Sequence, residues 1–419
     1  MVSLARKNLL ENIPRFLVGQ MGIMFAVSLV TIQTGIFNGF TCSTTQLINN
    51  SEADIWVASQ SLVNLELTLP IPVADLIQAQ QVAGVERAEA LIVKGALWYN
   101  SSGEIAQASV IGFDPNDRLF VPRNIAQGSL SALRGPYTVM VDTTNLNSLH
   151  VRWIGDMAEI GSLPTRVVGL TQGNHSIASN PFIFTSLESA NAYSNSGRTS
   201  TLSCRSQLGS TAFRCNQTYL NSPQTSAPTQ LSPAVPKKLA PSDLITYVLI
   251  RAQPGQDLQA LKQKLEAALP NTRAYTRAEL VQKTETFWQQ QTGIGFILGL
   301  SAAVGVIVGV IIVCQILYCS VSEHLKEFGT FKAIGASDWV IYHVIVEQSL
   351  WMAILGYLPS MVLCSGVGVW TSATQGILIL ITPATAIAVL GITIVLCVGS
   401  AIFAIQKVIH LEPAIVFKA

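Results

Sequence analysis

The chain has 419 residues, of which 49% are hydrophobic and 12% charged, and its formal net charge is +1. A balance so close to zero, with no basic stripe interleaved with aromatics, excludes a nucleic-acid binder. The positive mean hydropathy places the chain between a soluble enzyme and a pure bundle of membrane spans. The charge is unevenly spread. No Asp, Glu, Lys, Arg or His occurs from Phe16 to Ser51, from Gln289 to Ser322 or from Gln348 to Gln406, and most charged residues fall between Glu52 and Glu285. A charge at the bilayer centre costs about 2.5–3.5 kcal/mol on insertion scales, and about 20 apolar residues cross the hydrocarbon as a helix. The fold class expected is therefore an α-helical membrane protein with four transmembrane helices and a large α+β periplasmic domain inserted between helices 1 and 2.

In chain order, residues 1–15 form an amphipathic cytoplasmic N-terminus and 16–40 the first span. The apolar run is longer than a signal-peptide core, and Phe40-Thr41-Cys42 lacks a small-residue cleavage pattern, so the helix is expected to be retained. Residues 41–290 form the external domain. Its ends, 52–100 and 241–285, read as one α+β part: a strand at Ala53–Ala58, a helix from Pro72 to Val82, strands from Val85 to Trp98, a strand at Tyr247–Arg251, a helix from Asp257 to Leu269 and a strand near Arg273–Tyr275. Residues 105–195 read as an inserted, mostly-β subdomain, with apolar runs at Tyr137–Val141 and Arg166–Leu170. Residues 195–242 shift to Ser, Thr, Pro, Gln and Asn, a composition expected to give a flexible surface excursion, either a plain linker or a docking segment. Within it Cys204 and Cys215 flank a short polar stretch in a compartment that permits oxidation, and a disulfide between them is expected.

No proline occurs between Pro270 and Pro359, so Thr276 to about Lys326 reads as one nearly continuous helix, with Gly293 and Gly295 marking a joint at the membrane surface. Its outer part, a stalk with Leu280, Phe287 and Trp288 on one face, is expected to pack on the extension of span one from Phe37 to Asn49. Span two covers 291–319. Its Gly295, Gly299, Ser301, Gly305 and Gly309 recur at four-residue spacing, which lets helix backbones approach closely; they serve either packing within the chain or a homodimer seam. A cytoplasmic helix at 320–340, spans at 344–370 and 377–405, and a cytoplasmic tail at 406–419 complete the chain. The basic short segments then all fall on one side, which puts both termini on the cytoplasmic side of the membrane.

Catalytic chemistry is not encoded in a recognisable form. There is no G-x-x-x-x-G-K-[ST] phosphate loop, no H-E-x-x-H metal motif and no histidine at membrane depth to activate Ser301. The chain is expected not to be an enzyme and to bind no metal and no cofactor of its own.

The segment Glu327-Phe328-Gly329-Thr330-Phe331-Lys332-Ala333-Ile334-Gly335-Ala336-Ser337 carries a short amphipathic pattern, with Leu325, Phe328, Phe331 and Ile334 at near-helical spacing. It resembles the E-[IFY]-[GA]-x-[LF]-[KR]-A-[ILM]-G-A-S signature that follows span two in MacB/FtsX-type (type VII) ABC transporter permeases. Leu411-Glu412-Pro413-Ala414-Ile415-Val416-Phe417 resembles the D-P-A-x-x-[LF] ending of that family, with Glu412 in place of the usual Asp, and the run from Gly293 through Tyr318 looks closest to the DevC-like branch. The resemblance implies a homodimeric permease in a lipid bilayer. A partner ATPase, which binds ATP and Mg, would grip Leu325, Glu327, Phe328, Gly329, Phe331, Lys332, Ala333, Ile334, Gly335 and Ala336. It also implies a periplasmic adaptor, often an outer-membrane channel, and mechanical coupling, with lipid or glycolipid export as the branch-level expectation and FtsX-like control of an external enzyme as the alternative.

Overall fold

The computed structural model describes residues 13–174, 180–196, 200–206, 213–219, 235–291, 293–323, 338–375 and 379–409. The chain divides into a helical unit, 1–41 with 288–419, and a second unit, 42–287. Its helices are α1 (Ile13–Asn49), α2 (Val73–Gln80), α3 (Leu146–Leu149), α4 (Leu187–Asn195), α5 (Leu258–Ala268), α6 (Arg277–Gln291), α7 (Ile294–Glu323), α8 (Asp338–Gln375) and α9 (Pro383–Ile409). Stretches long and apolar enough to cross a bilayer occur at Phe16–Asn49, Val346–Ser372 and Pro383–Ser400, and a shorter apolar stretch at Phe296–Ile312.

The second unit is built on strands β1 (Ile55–Ser59), β2 (Ile71–Pro72), β3 (Val85–Asn100), β4 (Ile105–Phe113), β5 (Ile125–Gln127), β6 (Thr138–Asp142), β7 (Met157–Ile160), β8 (Leu163–Thr171), β9 (Phe182–Ser186), β10 (Ser200–Ser206), β11 (Phe213–Tyr219), β12 (Leu244–Ile245), β13 (Tyr247–Ala252) and β14 (Thr272–Thr276). Ten of them join in the order β14-β1-β13-β3-β4-β9-β6-β8-β5, with β7 bridging β3 and β8. The central strands are buried on both faces, and the two-residue side-chain period sorts them into two cores. Ile55, Val57, Val248 and Ile250 point to one core with Leu261 and Leu265 of α5, whereas Trp56, Ala58, Tyr247 and Leu249 point to the other with Leu47, Ile48 and Leu280 of α1 and α6.

The expected division into an α+β part and an inserted β subdomain is corrected by β3. This 16-residue strand pairs through Val85–Leu91 with β13 and through Ile92–Tyr99 with β4, so the two parts share one strand and one sheet. Beyond that point the pairing β3-β4-β9-β6-β8-β7 returns to β3. Closing the circuit leaves those six strands without a free edge. The excursion from 195 to 242 is not wholly irregular either, since β10 and β11 form an antiparallel pair within it.

The nearly continuous helix expected from Thr276 to about Lys326 is divided at the expected joint. α6 ends at Gln291 and α7 starts at Ile294, with Gly293 between them at φ +66°, a left-handed conformation that ends helices and that glycine adopts without steric cost. α6 begins with a capping box: Thr276 Oγ1 accepts from Glu279 N (3.3 Å) and Glu279 Oε2 accepts from Thr276 N (2.9 Å). The last span is expected at 377–405, but α9 starts at Pro383. Proline is favoured in the first helical turn, and Thr382 Oγ1 accepts from Thr385 N there (3.2 Å).

Candidate functional site

In the helical unit, α1 is held from two sides by different chemistry. Against α7 the contact is steric. A Cβ added at Gly22 would lie 2.2 Å from Ile312 Cγ2, one at Gly309 would lie 2.8 Å from Ala26 Cβ, and one at Gly305 would lie 2.8 Å from Leu29 Cδ2. Gly305 and Gly309 therefore serve packing within the chain, while Gly299 meets nothing within 4 Å and Ser301 donates to Ile297 O of its own helix (2.9 Å). Gly295 is the second residue of α7, two positions beyond Gly293.

Against α8 the contact adds side-chain hydrogen bonds to main-chain carbonyls. Gln20 Nε2 donates to Met352 O (3.2 Å), Ser360 Oγ to Met24 O (3.3 Å) and Cys364 Sγ to Ser28 O (3.7 Å). A Cβ at Gly356 would lie 2.5 Å from Ile23 Cγ2. Gly356, Ser360, Cys364 and Gly368 stand four residues apart, the small-residue pattern of close membrane helices. Sequence reasoning missed this ridge because serine and cysteine diluted the glycine signal. Further along α1, Gly35 O accepts from Leu380 N (3.0 Å) and Asn38 Nδ2 donates to Leu380 O (3.4 Å), so residues 379–382 run along α1 instead of starting α9.

The expected stalk pairing is present. Trp288 meets Phe40 edge to face, with ring centroids 5.8 Å apart, and Leu280, fully buried, shares a core with Leu47 and Ile48. Phe287 is half-buried. At the other end of α6, Lys262 of α5 donates to Glu279 Oε1 (2.7 Å). Desolvation pushes the Glu279 carboxyl up, but the bonds from Lys262, Thr276 N and Gln259 outweigh it and hold it below the usual carboxylate range. Arg277 donates through Nε (3.1 Å) and Nη2 (3.0 Å) to Ala53 O. α6 is thus clamped to α5 and to the approach of β1.

Two loops enclose the end of α1. Glu89, 5% exposed, accepts from Arg118 N (3.1 Å) and Leu119 N (2.8 Å), and Leu119 O accepts from Glu52 N (2.7 Å). Asp117 in the same loop has its carboxyl raised to about 7, by desolvation first and then by the carboxylates of Glu89 and Asp114, against a lowering by Arg87.

The interface segment Leu325, Glu327, Phe328, Gly329, Phe331, Lys332, Ala333, Ile334, Gly335 and Ala336 lies outside the described residues, as do Glu412 and Pro413. For Cys204 and Cys215 the backbone register is described, and it sets the two residues directly opposite each other on β10 and β11. Among the described residues no cluster of three or more His, Cys, Asp or Glu is arranged to hold a metal ion.

Long apolar helices packed through small residues, together with a large sheet unit whose cores follow the rules of a water-exposed domain, define a membrane protein with a globular domain. Residues 21–268 match the MacB-like periplasmic core domain, and residues 299–413 match the FtsX-like permease C-terminal domain. The chain belongs to the MacB/FtsX-type permeases of ABC-type transporters, a class that works with an ATPase partner. No curated protein matches it. Among solved structures it is similar to the extracellular domain of the noncanonic ABC-type transporter YknZ from Gram-positive bacteria, at 10% identity and TM-score 0.32, covering 53% of this chain and 99% of that one. It is also similar to the periplasmic region of MacB from Actinobacillus actinomycetemcomitans, at 7% identity and TM-score 0.32, covering 57% and 95%. A domain of a putative permease from Porphyromonas gingivalis matches at 12% identity and TM-score 0.30, covering 53% and 88%.

Proposed function

We propose that this chain is the membrane subunit of an ABC-type exporter that carries ATP-driven motion from a cytoplasmic ATPase to an external domain and its adaptor, moving a lipid, glycolipid or other amphiphile. It works as a homodimer with four crossings per chain and both termini in the cytoplasm. The observation that carries the mechanical part is α1, a single helix of 37 residues. At 1.5 Å per residue it is about 55 Å long, well beyond a hydrocarbon core of about 30 Å. Its last turns, at Leu47 and Ile48, are built into the core of the sheet unit. A rod of that kind passes on displacement without needing a substrate path through the bilayer. ATP hydrolysis then resides in the partner, which holds ATP and Mg and grips Leu325 to Ala336.

The test is to co-express the chain with its ATPase and measure hydrolysis in nanodiscs, with and without Glu327→Ala. Hydrolysis that requires this chain and drops in the variant supports the reading; an ATPase indifferent to the chain overturns it. Deleting the external domain separates export from FtsX-like control of an external enzyme: export predicts loss of an exported lipid, and control predicts altered wall hydrolysis with unchanged lipids.

A further inference from the structure

Two buried carboxylates hold the loops that grip the end of α1, and they belong to different strands. Asp142, fully buried at the end of β6, accepts from Thr144 N (3.1 Å), Thr144 Oγ1 (2.8 Å), Thr171 Oγ1 (3.1 Å) and Asn174 N (2.7 Å). These four donors, all uncharged, meet the carboxylate among the described residues, and they set the course of residues 171–174. That loop in turn reaches α1: Gly173 O accepts from Gln46 Nε2, and Asn174 Oδ1 accepts from Asn50 Nδ2 (3.4 Å). Asn174 also joins the second loop, accepting from Arg123 N (3.2 Å) and donating through Nδ2 to Arg123 O, while Gln172 N donates to Asn124 O (2.9 Å). The second loop is anchored by Glu89 and holds Glu52 through Leu119 O.

The covalent route from α1 leads only to β1. Five residues, 50–54, separate the helix from that strand, and β1 pairs with β13 and β14. A short linker by itself would let the helix pivot against the sheet. The collar of two loops removes that freedom and adds a second route, from Gln46 and Asn50 through Asn174 to Asp142, which ends on β6 and β8 in the closed circuit of strands. The hydrogen bonds that anchor α6 run elsewhere: its partners Lys262 and Ala53 lie beside β14 and β1, while its Leu280 shares the apolar core with Leu47 and Ile48.

We infer that Asp142 and Asn174 are positioning residues through which α1 drives the β6–β8 side of the external domain, while α6 drives the β1–β14 side. Relative movement of the two helices is thereby converted into a deformation of the sheet across β3, the strand common to both sides. The inference rests on the proposed reading that α1 moves under ATP.

Hydrogen exchange on the full chain in nanodiscs tests it at two levels. Without any ATPase, Asp142→Asn is expected to raise exchange at amides 47–52 by about threefold or more and leave residues 20–35 unchanged, because coupling between two sites is reciprocal; unchanged exchange at 47–52 overturns the collar. With the ATPase bound, ATP is expected to change exchange in 55–59 and 272–276 and also in 138–142 and 163–171. In Gln46→Ala/Asn50→Ala the first pair still responds and the second does not. A retained response at 138–142 overturns the routing. Absence of any ATP response in the wild-type complex overturns the proposed function and the routing with it, and leaves the Asp142 result as the measure of the collar itself.

Discussion

The two units make their closest contacts through different kinds of side chain. In the sheet unit the interior is made of large residues: Trp56, Trp98, Tyr247, Phe113, Phe120 and Phe184 are all nearly or fully inaccessible. In the helical unit the closest helix contacts run through Gly22, Ala26, Gly305, Gly309, Gly356 and Ser360, with Ile23 and Val27 buried beside them, and many large residues face outward, with Phe296 73%, Ile307 57% and Val362 75% exposed. Where water surrounds the protein, removing apolar area from it drives packing. Where hydrocarbon does, that drive vanishes, and close backbone approach with a few hydrogen bonds takes its place. Equal truncations are therefore expected to have unequal costs in the two units.

The largest effect is expected for Trp98→Ala in the closed strand circuit. Trp98 is 1% exposed and donates through Nε1 to Leu149 O (2.9 Å). The loss should be about 3–5 kcal/mol, read by denaturant or thermal unfolding. A loss under about 1 kcal/mol would mean that the circuit does not form a cooperative core. Asp142→Ala comes next, at about 2–4 kcal/mol, because it strands buried donors that the carboxylate now satisfies. A near-neutral result would place water on those donors.

Gly309→Val is expected to cost about 1–3 kcal/mol, since the new side chain meets Ala26 at 2.8 Å from its first atom. Thermal stability in detergent should fall, while Gly299→Val, in open space, should not change it. A loss at Gly299 instead would point to a second chain on that face. Asp117→Asn tests the raised carboxyl near Glu89. Its folded pKa, about 7, lies above the ordinary value of 3.8, so the folded state binds the extra proton between those limits. Wild-type stability should therefore decline as pH rises from about 4 to about 7 and then level off. The variant should remove that decline, gaining over wild type above pH 7 and little below pH 4; a gain independent of pH would reject the assignment. The smallest effect is expected for Ile307→Ala, within about 0.5 kcal/mol. A larger one would show that another protein chain, not lipid, covers it.

Much of this organisation was legible in the linear order of residues. Charge-free runs locate apolar helices because burying an ion in hydrocarbon is costly wherever the ion stands. Alternation in Ile55-Trp56-Val57-Ala58 and Tyr247-Val248-Leu249-Ile250 marks strands whose two faces are both covered. The face of α6 that carries Leu280 and Trp288 followed from its helical period, and the structure sets Trp288 of that face against Phe40. These are local properties, decided by one side chain and its near neighbours in sequence.

What only the tertiary structure decided depends on partners far apart in the chain. The sequence marks Gly305 and Gly309 as small but does not say that Leu29 and Ala26 fill the space they leave. It shows Asp142 as one acid among many, and nothing local announces that it is fully buried and holds Asn174, 32 residues away, which in turn meets Asn50, 124 residues away. The sharing of β3 between two parts has the same origin. A strand continues according to what packs against it, and the free energy of that packing is set by residues the linear pattern keeps apart.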